Sequence, residues 1–414
     1  MDGFGNSLPI ESLIFLSCIF LSCIFLSGQP TIRKENVGKE NEVRKWVGYF
    51  FKPEMSMEEQ QVEEKSGNPK VVKILSIDGG GIRGVIPAMI LQRLEEMTGR
   101  PVVKMFDLIS GTSTGGVMTL LLTKPKPGSD GEPMYLAKDI VNLYVEHGKE
   151  MFHRSLLYKI VSMNGWLMPK YPEKSVLSTL QSYLDRDERA QLKDVLTDVL
   201  ITSYDIHQRR PLYFKRCDAR DFPYLNFYLS DAARGTSAAP TFFPTVKITS
   251  VDGSANYYLI DGGLVANNPS NLAIATAISQ HGNDTYPLVV SLGTGSYEAP
   301  ISFGKARRWG LFGWAPGILD VMFDGVSGAA DTIAEEVVPA LSAPGYYFRF
   351  QIPLSKGDDA MDNSDPENIE VLQSLTLKMM DEREADLQRL AKALMGEYDQ
   401  LPREQKLGRM SYGF

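Results

Sequence analysis

Two glycine-rich junctions constrain this chain more than any other feature of its sequence. Asp78-Gly79-Gly80-Gly81-Ile82-Arg83-Gly84 and Gly111-Thr112-Ser113-Thr114-Gly115-Gly116 each follow a short β-rich run, residues 71–77 (VVKILSI) and 106–110 (FDLIS), and each precede a helical run. Between them Ile86, Ile90, Leu94 and Met97 mark one face of a helix expected over 86–97. Strand, glycine turn, helix, strand is a parallel crossover, and it commits the chain to α/β architecture with functional loops at the C-terminal ends of the strands. Hydrophobic patterning predicts further strands at 199–204, 212–215, 257–260, 287–292 and 346–351, and helices at 139–147, 270–279 and 385–394.

Each junction can carry chemistry. Three successive glycines turn the backbone tightly and expose its N–H groups, and the helix that follows adds its positive end, so the first loop is a cradle for a phosphate or a transient oxyanion. Gly79 to Gly84 also matches the dinucleotide fingerprint GxGxxG. A nucleotide site of that kind needs a carboxylate at the end of the second strand, where this chain has Gly111, Thr112 and Ser113. GxSxG between a strand and a helix is instead a nucleophile elbow, in which Gly111 and Gly115 permit the sharp turn that lifts the Ser113 hydroxyl above the sheet. The crossover brings nucleophile and cradle side by side.

A serine hydroxyl needs a base, and 414 residues contain only 4 His. In the order Ser, Asp, His, only His281 falls late enough, at the end of a predicted helix beside Gly282. His147, His153 and His207 read as surface residues at helix ends and in a charged turn. Asp261 is a second candidate. It ends the strand expected over 257–260 and precedes Gly262 and Gly263, so burial at a strand end could raise its pKa enough to take the serine proton directly. Asp-Gly-Gly is also an ordinary turn.

These three motifs, in this order, resemble the patatin-like lipid acyl hydrolases, most closely the plant members. The resemblance rests on DGGGIRG (78–84), GTSTGG (111–116) and DGG (261–263), with TSAAPTFFP (236–244), ANNP (266–269) and SLGTG (291–295) as further similar stretches; it runs from about residue 71 to at least 351. It implies a three-layer α/β/α fold with a mostly parallel central sheet. It also implies a Ser113/Asp261 dyad without histidine, and an oxyanion hole from Gly79, Gly80, Gly81 and Arg83 and their surroundings. The activity implied is hydrolysis of fatty-acyl esters of phospholipids and galactolipids without metal or cofactor. A triad through His281, or a vestigial storage or lipid-binding protein, are the alternatives.

Composition narrows the partners. With 43 Lys+Arg against 51 Asp+Glu the formal net charge is −8, which disfavours binding to phosphate backbones, so no nucleic acid is expected. Of 3 Cys, Cys18 and Cys23 lie in an apolar N-terminal run, leaving Cys217 alone in the body, and no Cys/His cluster has zinc spacing. Membrane lipids are the expected substrate, with peripheral membrane contact; the acidic balance disfavours electrostatic capture by anionic membranes and fits neutral or zwitterionic lipids approached through apolar and aromatic contact. A segment with two of the 4 tryptophans, Arg308-Trp309-Gly310-Leu311-Phe312-Gly313-Trp314, suits an interfacial surface, and Ile318 to Phe323 after it suits either that surface or a helix covering the core.

The chain divides into an apolar segment at 1–27, a polar linker at 28–70, the catalytic domain at 71–352 and a helical extension at 353–414 expected to pack on it. The run LIFLSCIFLSCIFL (13–26) is too short to span a bilayer and has the length of a signal-peptide core, but no Lys or Arg precedes it. The expectation is a cytoplasmic protein with peripheral membrane association, or a secretory or vacuolar one if 1–27 acts as a signal. In that case the sequon Asn283-Asp284-Thr285 becomes a glycosylation candidate.

Overall fold

The computed structural model describes residues 70–151, 168–186, 188–282, 285–297, 300–314, 317–341, 346–355 and 360–398, all within a unit that runs from Asn68 to Phe414. The apolar N-terminal run, the linker up to residue 69, His153 and the first two residues of the sequon lie outside the described residues, and Lys70, expected to end the linker, already belongs to the first strand.

The expected crossover is present. Strand β1 (Lys70–Ile77) leads through the glycine loop into helix α1 (Val85–Thr98), and β2 (Leu108–Gly111) lies parallel to β1 with Ile74 opposite Leu108 and Ile77 opposite Gly111. Strand β2 starts two residues later than its pattern predicts, because Pro101 opens a short helix over Val102–Met105 and Phe106 ends it. Helix α2 (Thr114–Thr123) follows the elbow. Helices α3 (Ala137–Met151) and α4 (Glu173–Leu184) come next, then β3 (Asp198–Asp205) and β4 (Arg210–Lys215). Helix α5 (Leu229–Ser237) precedes β5 (Val246–Thr249) and β6 (Asn256–Asp261). After α6 (Ser270–His281) and β7 (Thr285–Leu292) come α7 (Ile318–Leu341), β8 (Tyr346–Phe350), α8 (Pro366–Glu382) and α9 (Glu384–Leu394).

The sheet runs in the order β5-β6-β3-β2-β1-β7-β8, with β4 also paired to β3. Pairs β1/β2, β1/β7, β2/β3 and β7/β8 are parallel, and only the β3–β6 end is antiparallel. Alternation along β1 divides the core into two layers. Val72 and Ile74 pack with Ala273, Ile274 and Ala277 of α6 and with Ala334 and Val338 of α7. Leu75 and Ile77 face the larger cluster, in which α1 and α2 bury Ile86, Ile90, Leu94, Leu120 and Leu121 and to which Leu372 and Leu390 of α8 and α9 belong. Helices cover both faces of the sheet, which is the three-layer α/β/α arrangement.

The register of β3 places the site. Its residues Leu200 and Ile201 pair with β4 on one edge and with β2 on the other, while Ser203 to Asp205 pair with β4 and with β6. Strands β2 and β6 therefore share one edge of β3 and run toward each other along it. Strand β2 ends at Gly111, opposite Ile201, and β6 ends at Asp261, opposite Ser203. Only Thr202 separates the two ends.

Candidate active site

Because β2 and β6 meet end to end, the serine one turn past β2 and the aspartate that ends β6 face each other. Ser113 Oγ donates to Asp261 Oδ2 at 2.7 Å. Ser113 adopts φ 52° and ψ −120°, a left-handed backbone that a non-glycine residue takes only when its surroundings impose it. The restraints are visible. The Ser113 N–H donates to Thr236 Oγ1 at 2.9 Å, and the Thr112 hydroxyl donates to the Ala266 carbonyl at 2.6 Å and lies 2.7 Å from that of Thr202. Gly115 must be glycine, since a Cβ there would sit 2.3 Å from the Ile77 carbonyl oxygen.

Asp261 is 2% exposed, and its second oxygen accepts the Gly263 N–H at 2.7 Å. Burial pushes the carboxyl up to about 6, against the opposing pull of the hydrogen bonds from Ser113 and Gly263. A Cβ at Gly262 would collide with Thr202, and one at Gly263 would lie 2.9 Å from the Phe323 ring and 3.1 Å from Asp261 Oδ1, so both glycines of the DGG motif are accounted for by packing.

The first glycine loop lies across the same opening. Its three glycines are not equivalent. The Gly79 N–H is engaged by the Asn267 carbonyl at 3.0 Å, and the Gly79 carbonyl accepts from Thr294 Oγ1 at 2.6 Å and from Asn267 Nδ2 at 3.4 Å. Gly79 thus anchors the loop, and its N–H is not free to meet an oxyanion. Gly80 and Gly81 line the pocket; Gly81 takes φ 60° and lies against the Met361 carbonyl, which accepts the N–H of Ile82 at 2.9 Å. Arg83 is buried and turns back on the loop, its Nε donating to the Gly80 carbonyl at 3.4 Å. Gly84 leaves room for the Tyr144 hydroxyl, which is hydrogen-bonded to Thr114 and pushed up to about 12 by burial.

Ser113 and Asp261 open into a cleft of about 820 Å³, counting the solvent at its mouth. Its walls are apolar, chiefly Val117, Leu143, Leu180, Phe242, Phe243 and Phe323, with Met361 beside Gly81. Phe323 belongs to the segment that the sequence leaves between interface and core, and the structure divides that segment: Phe323 turns inward, while Ile318, Val321 and Met322 face solvent. Among the described residues, no cluster of His, Cys, Asp and Glu could hold a metal ion.

No described histidine lines the cleft. His281 is exposed as the last residue of α6, His207 packs on Tyr258 at a hairpin tip, and His147 lies 2.9 Å from Glu150. The triad through His281 is therefore not assembled. Sequence reasoning missed Thr236, Thr294, Phe242, Phe243, Tyr144 and Met361. The first four fall within stretches, TSAAPTFFP and SLGTG, that stood out as motif-like without a role.

Comparison with known proteins identifies the family. A family profile described as patatin-like phospholipase matches residues 75–274. Patatin-like protein 4 of Arabidopsis thaliana is 34% identical over 77% of this chain and 84% of its own length, and patatin-like protein 2 of the same plant is 35% identical over 73% and 81%. Among solved structures, VipD from Legionella pneumophila aligns with a TM-score of 0.33 and 13% identity over 75% of this chain and 67% of its own. With relatives this similar over most of their length, the chain belongs to the patatin-like phospholipase family.

Proposed function

We propose that the protein is a lipid acyl hydrolase that cleaves fatty-acyl esters of phospholipids and galactolipids through a Ser113/Asp261 dyad and an acyl-enzyme. The observation that carries this reading is the 2.7 Å hydrogen bond from the Ser113 hydroxyl to a buried carboxylate at the mouth of an apolar cleft. A carboxylate titrating at about 6 is ionised at neutral pH yet basic enough to accept a proton in a transition state.

In this mechanism Ser113 Oγ attacks the ester carbonyl while Asp261 Oδ2 takes its proton. The N–H groups of Gly80 and Gly81 meet the developing oxyanion, at about 3 kcal/mol per well-placed donor. The positive end of α2, which begins at Thr114, reinforces them. The tetrahedral intermediate collapses as Asp261 returns the proton to the departing glycerol oxygen. The acyl chain remains on Ser113, its tail lying in the cleft along Val117, Leu180 and Phe243. Water then enters, Asp261 removes its proton, and the fatty acid is released with Ser113 reprotonated. No histidine is needed because the carboxylate touches the hydroxyl directly, which fits the scarcity of histidine.

The experiment is hydrolysis of a panel of phospholipids, galactolipids and soluble esters by the wild type, Ser113→Ala and Asp261→Asn. Ser113→Ala should be inactive and Asp261→Asn slower by about 10²- to 10⁴-fold. Near-full activity in either variant rejects the dyad.

A further inference from the structure

We propose that residues 301–314 and 317–323 form a docking surface for anionic membrane lipid, placed at the edge of the acyl cleft. The inference rests on the lipid-hydrolase reading and adds where, and to which surface charge, the enzyme binds.

Apolar side chains scattered singly on a surface need no explanation, but a run of them along one segment that leads into a cleft-lining helix does. Phe303 is 79% exposed, at the start of a short helix over Phe303–Ala306, and Ile301 before it is exposed as well. Trp309 and Trp314 follow, stacked edge to face with ring centres 5.2 Å apart and each only partly buried. The chain then enters α7 through a bond from the Gly317 N–H to the Trp314 carbonyl. Ile318, Val321 and Met322 on the first turns of α7 face solvent. Phe323 points the other way and forms part of the cleft wall, so exposed surface and acyl pocket are two sides of the same helical turns.

Charge selects the occupant. Lys305, Arg307 and Arg308 are the only charged residues in 301–314, although the whole chain carries −8. Arg307 and Arg308 are exposed, as is Lys305. The acidic residues of this region, Asp320 and Asp324, come later on α7, so basic charge is concentrated where the aromatic residues are. Tryptophan and phenylalanine with interleaved basic residues match the interfacial zone of a bilayer, where rings sit at headgroup depth and cations meet phosphates. Near an anionic surface each basic side chain adds about fivefold in binding. A bilayer is also where the substrate of the proposed reaction resides.

The test is co-sedimentation of the full chain with vesicles of phosphatidylcholine alone and of equimolar phosphatidylcholine and phosphatidylglycerol. It compares wild type, Phe303→Ser and the double variant Arg307→Glu/Arg308→Glu. Hydrolysis of a soluble short-chain ester is measured in parallel. Wild type should favour the phosphatidylglycerol vesicles, and added salt should weaken that preference. The double variant should lose about tenfold or more of its binding to those vesicles. Phe303→Ser should weaken binding to both kinds several-fold, and all three proteins should hydrolyse the soluble ester equally. Equal vesicle binding by wild type and variants overturns the proposal, as does wild type that binds neither vesicle. A wild-type dimer lost in Phe303→Ser, without vesicle binding, overturns it in favour of self-association. A wild type that binds vesicles through these residues but hydrolyses no ester keeps the docking surface and rejects the hydrolase reading.

Discussion

The Arg349 guanidinium grips both oxygens of the Asp78 carboxylate, Nη1 to Oδ1 at 3.0 Å and Nη2 to Oδ2 at 2.6 Å, immediately before the first glycine of the loop that borders the cleft. Asp78 is 2% exposed, and burial pushes its carboxyl up while Arg349 pulls it back. Arg349 reaches it from β8 and also donates to Ser291 Oγ at 2.8 Å. The fork ties the glycine loop to the far edge of the parallel sheet, so the position of Gly80 and Gly81 depends on a residue outside the cleft.

Arg349→Ala should leave a buried carboxylate unpaired and cost about 3–5 kcal/mol in denaturant unfolding. Arg349→Lys keeps the charge but cannot fork, so it should recover much of the stability and less of the turnover. The check is kcat and KM on a soluble ester beside the unfolding curve. Recovery of both to the same extent would mean that Arg349 serves stability alone.

Activity should depend on the ionised form of Asp261. Its carboxyl titrates at about 6, so kcat/KM should fall as pH drops through that value and level off above it. Stability should run the other way. The folded state binds this proton more tightly than the unfolded chain, whose carboxyl titrates at 3.8, so the contribution of Asp261 worsens as pH rises from about 4 through about 6. Asp261→Asn removes that cost, and at neutral pH it should be more stable than wild type by up to about 3 kcal/mol. Thermal unfolding at pH 4 and pH 7 checks the sign.

Gly81→Ala should damage the proposed oxyanion cradle without touching the dyad. Residue 81 has φ 60°, and a Cβ would lie 2.1 Å from the Met361 carbonyl oxygen, so the loop must shift. A left-handed non-glycine residue costs about 1–2 kcal/mol, and displaced donors should lower kcat by about tenfold or more with a smaller change in KM. Steady-state kinetics on a soluble ester decides it.

Acyl length should respond to Val117, which sits one turn into α2 from the nucleophile and lines the cleft. Val117→Phe should shorten the space open to the tail and shift kcat/KM toward short-chain esters by about tenfold. Paired assays on short- and long-chain esters of one alcohol measure that ratio.

The crossover and the elbow were legible because local rules suffice for them. A buried strand, a glycine turn and an amphipathic helix each have a period or a composition that shows in a few consecutive residues, and VVKILSI-DGGGIRG and FDLIS-GTSTGG carry both. Helix α7 was legible only in part. Its apolar residues serve two surfaces, Phe323 in the cleft and Val321 and Met322 in solvent, so no single stripe marked its buried side.

Ser113 and Asp261 were each identifiable from the sequence as candidates, one by the elbow and the other as a strand-end acid, but the choice between Asp261 and His281 was not written in either local pattern. The proximity behind the proposed dyad comes from the shared edge of β3, which draws the ends of β2 and β6 to within one residue of each other, while His281 is exposed at the end of α6. The same holds for Gly79. Three glycines look alike in a row, and only the carbonyl of Asn267, from far along the chain, removes one N–H from use. Sequence determined which residues could do chemistry, because glycine freedom and side-chain type are local properties. Tertiary structure decided which of them act together, because a hydrogen bond across strands depends on register and burial, which belong to the sheet as a whole.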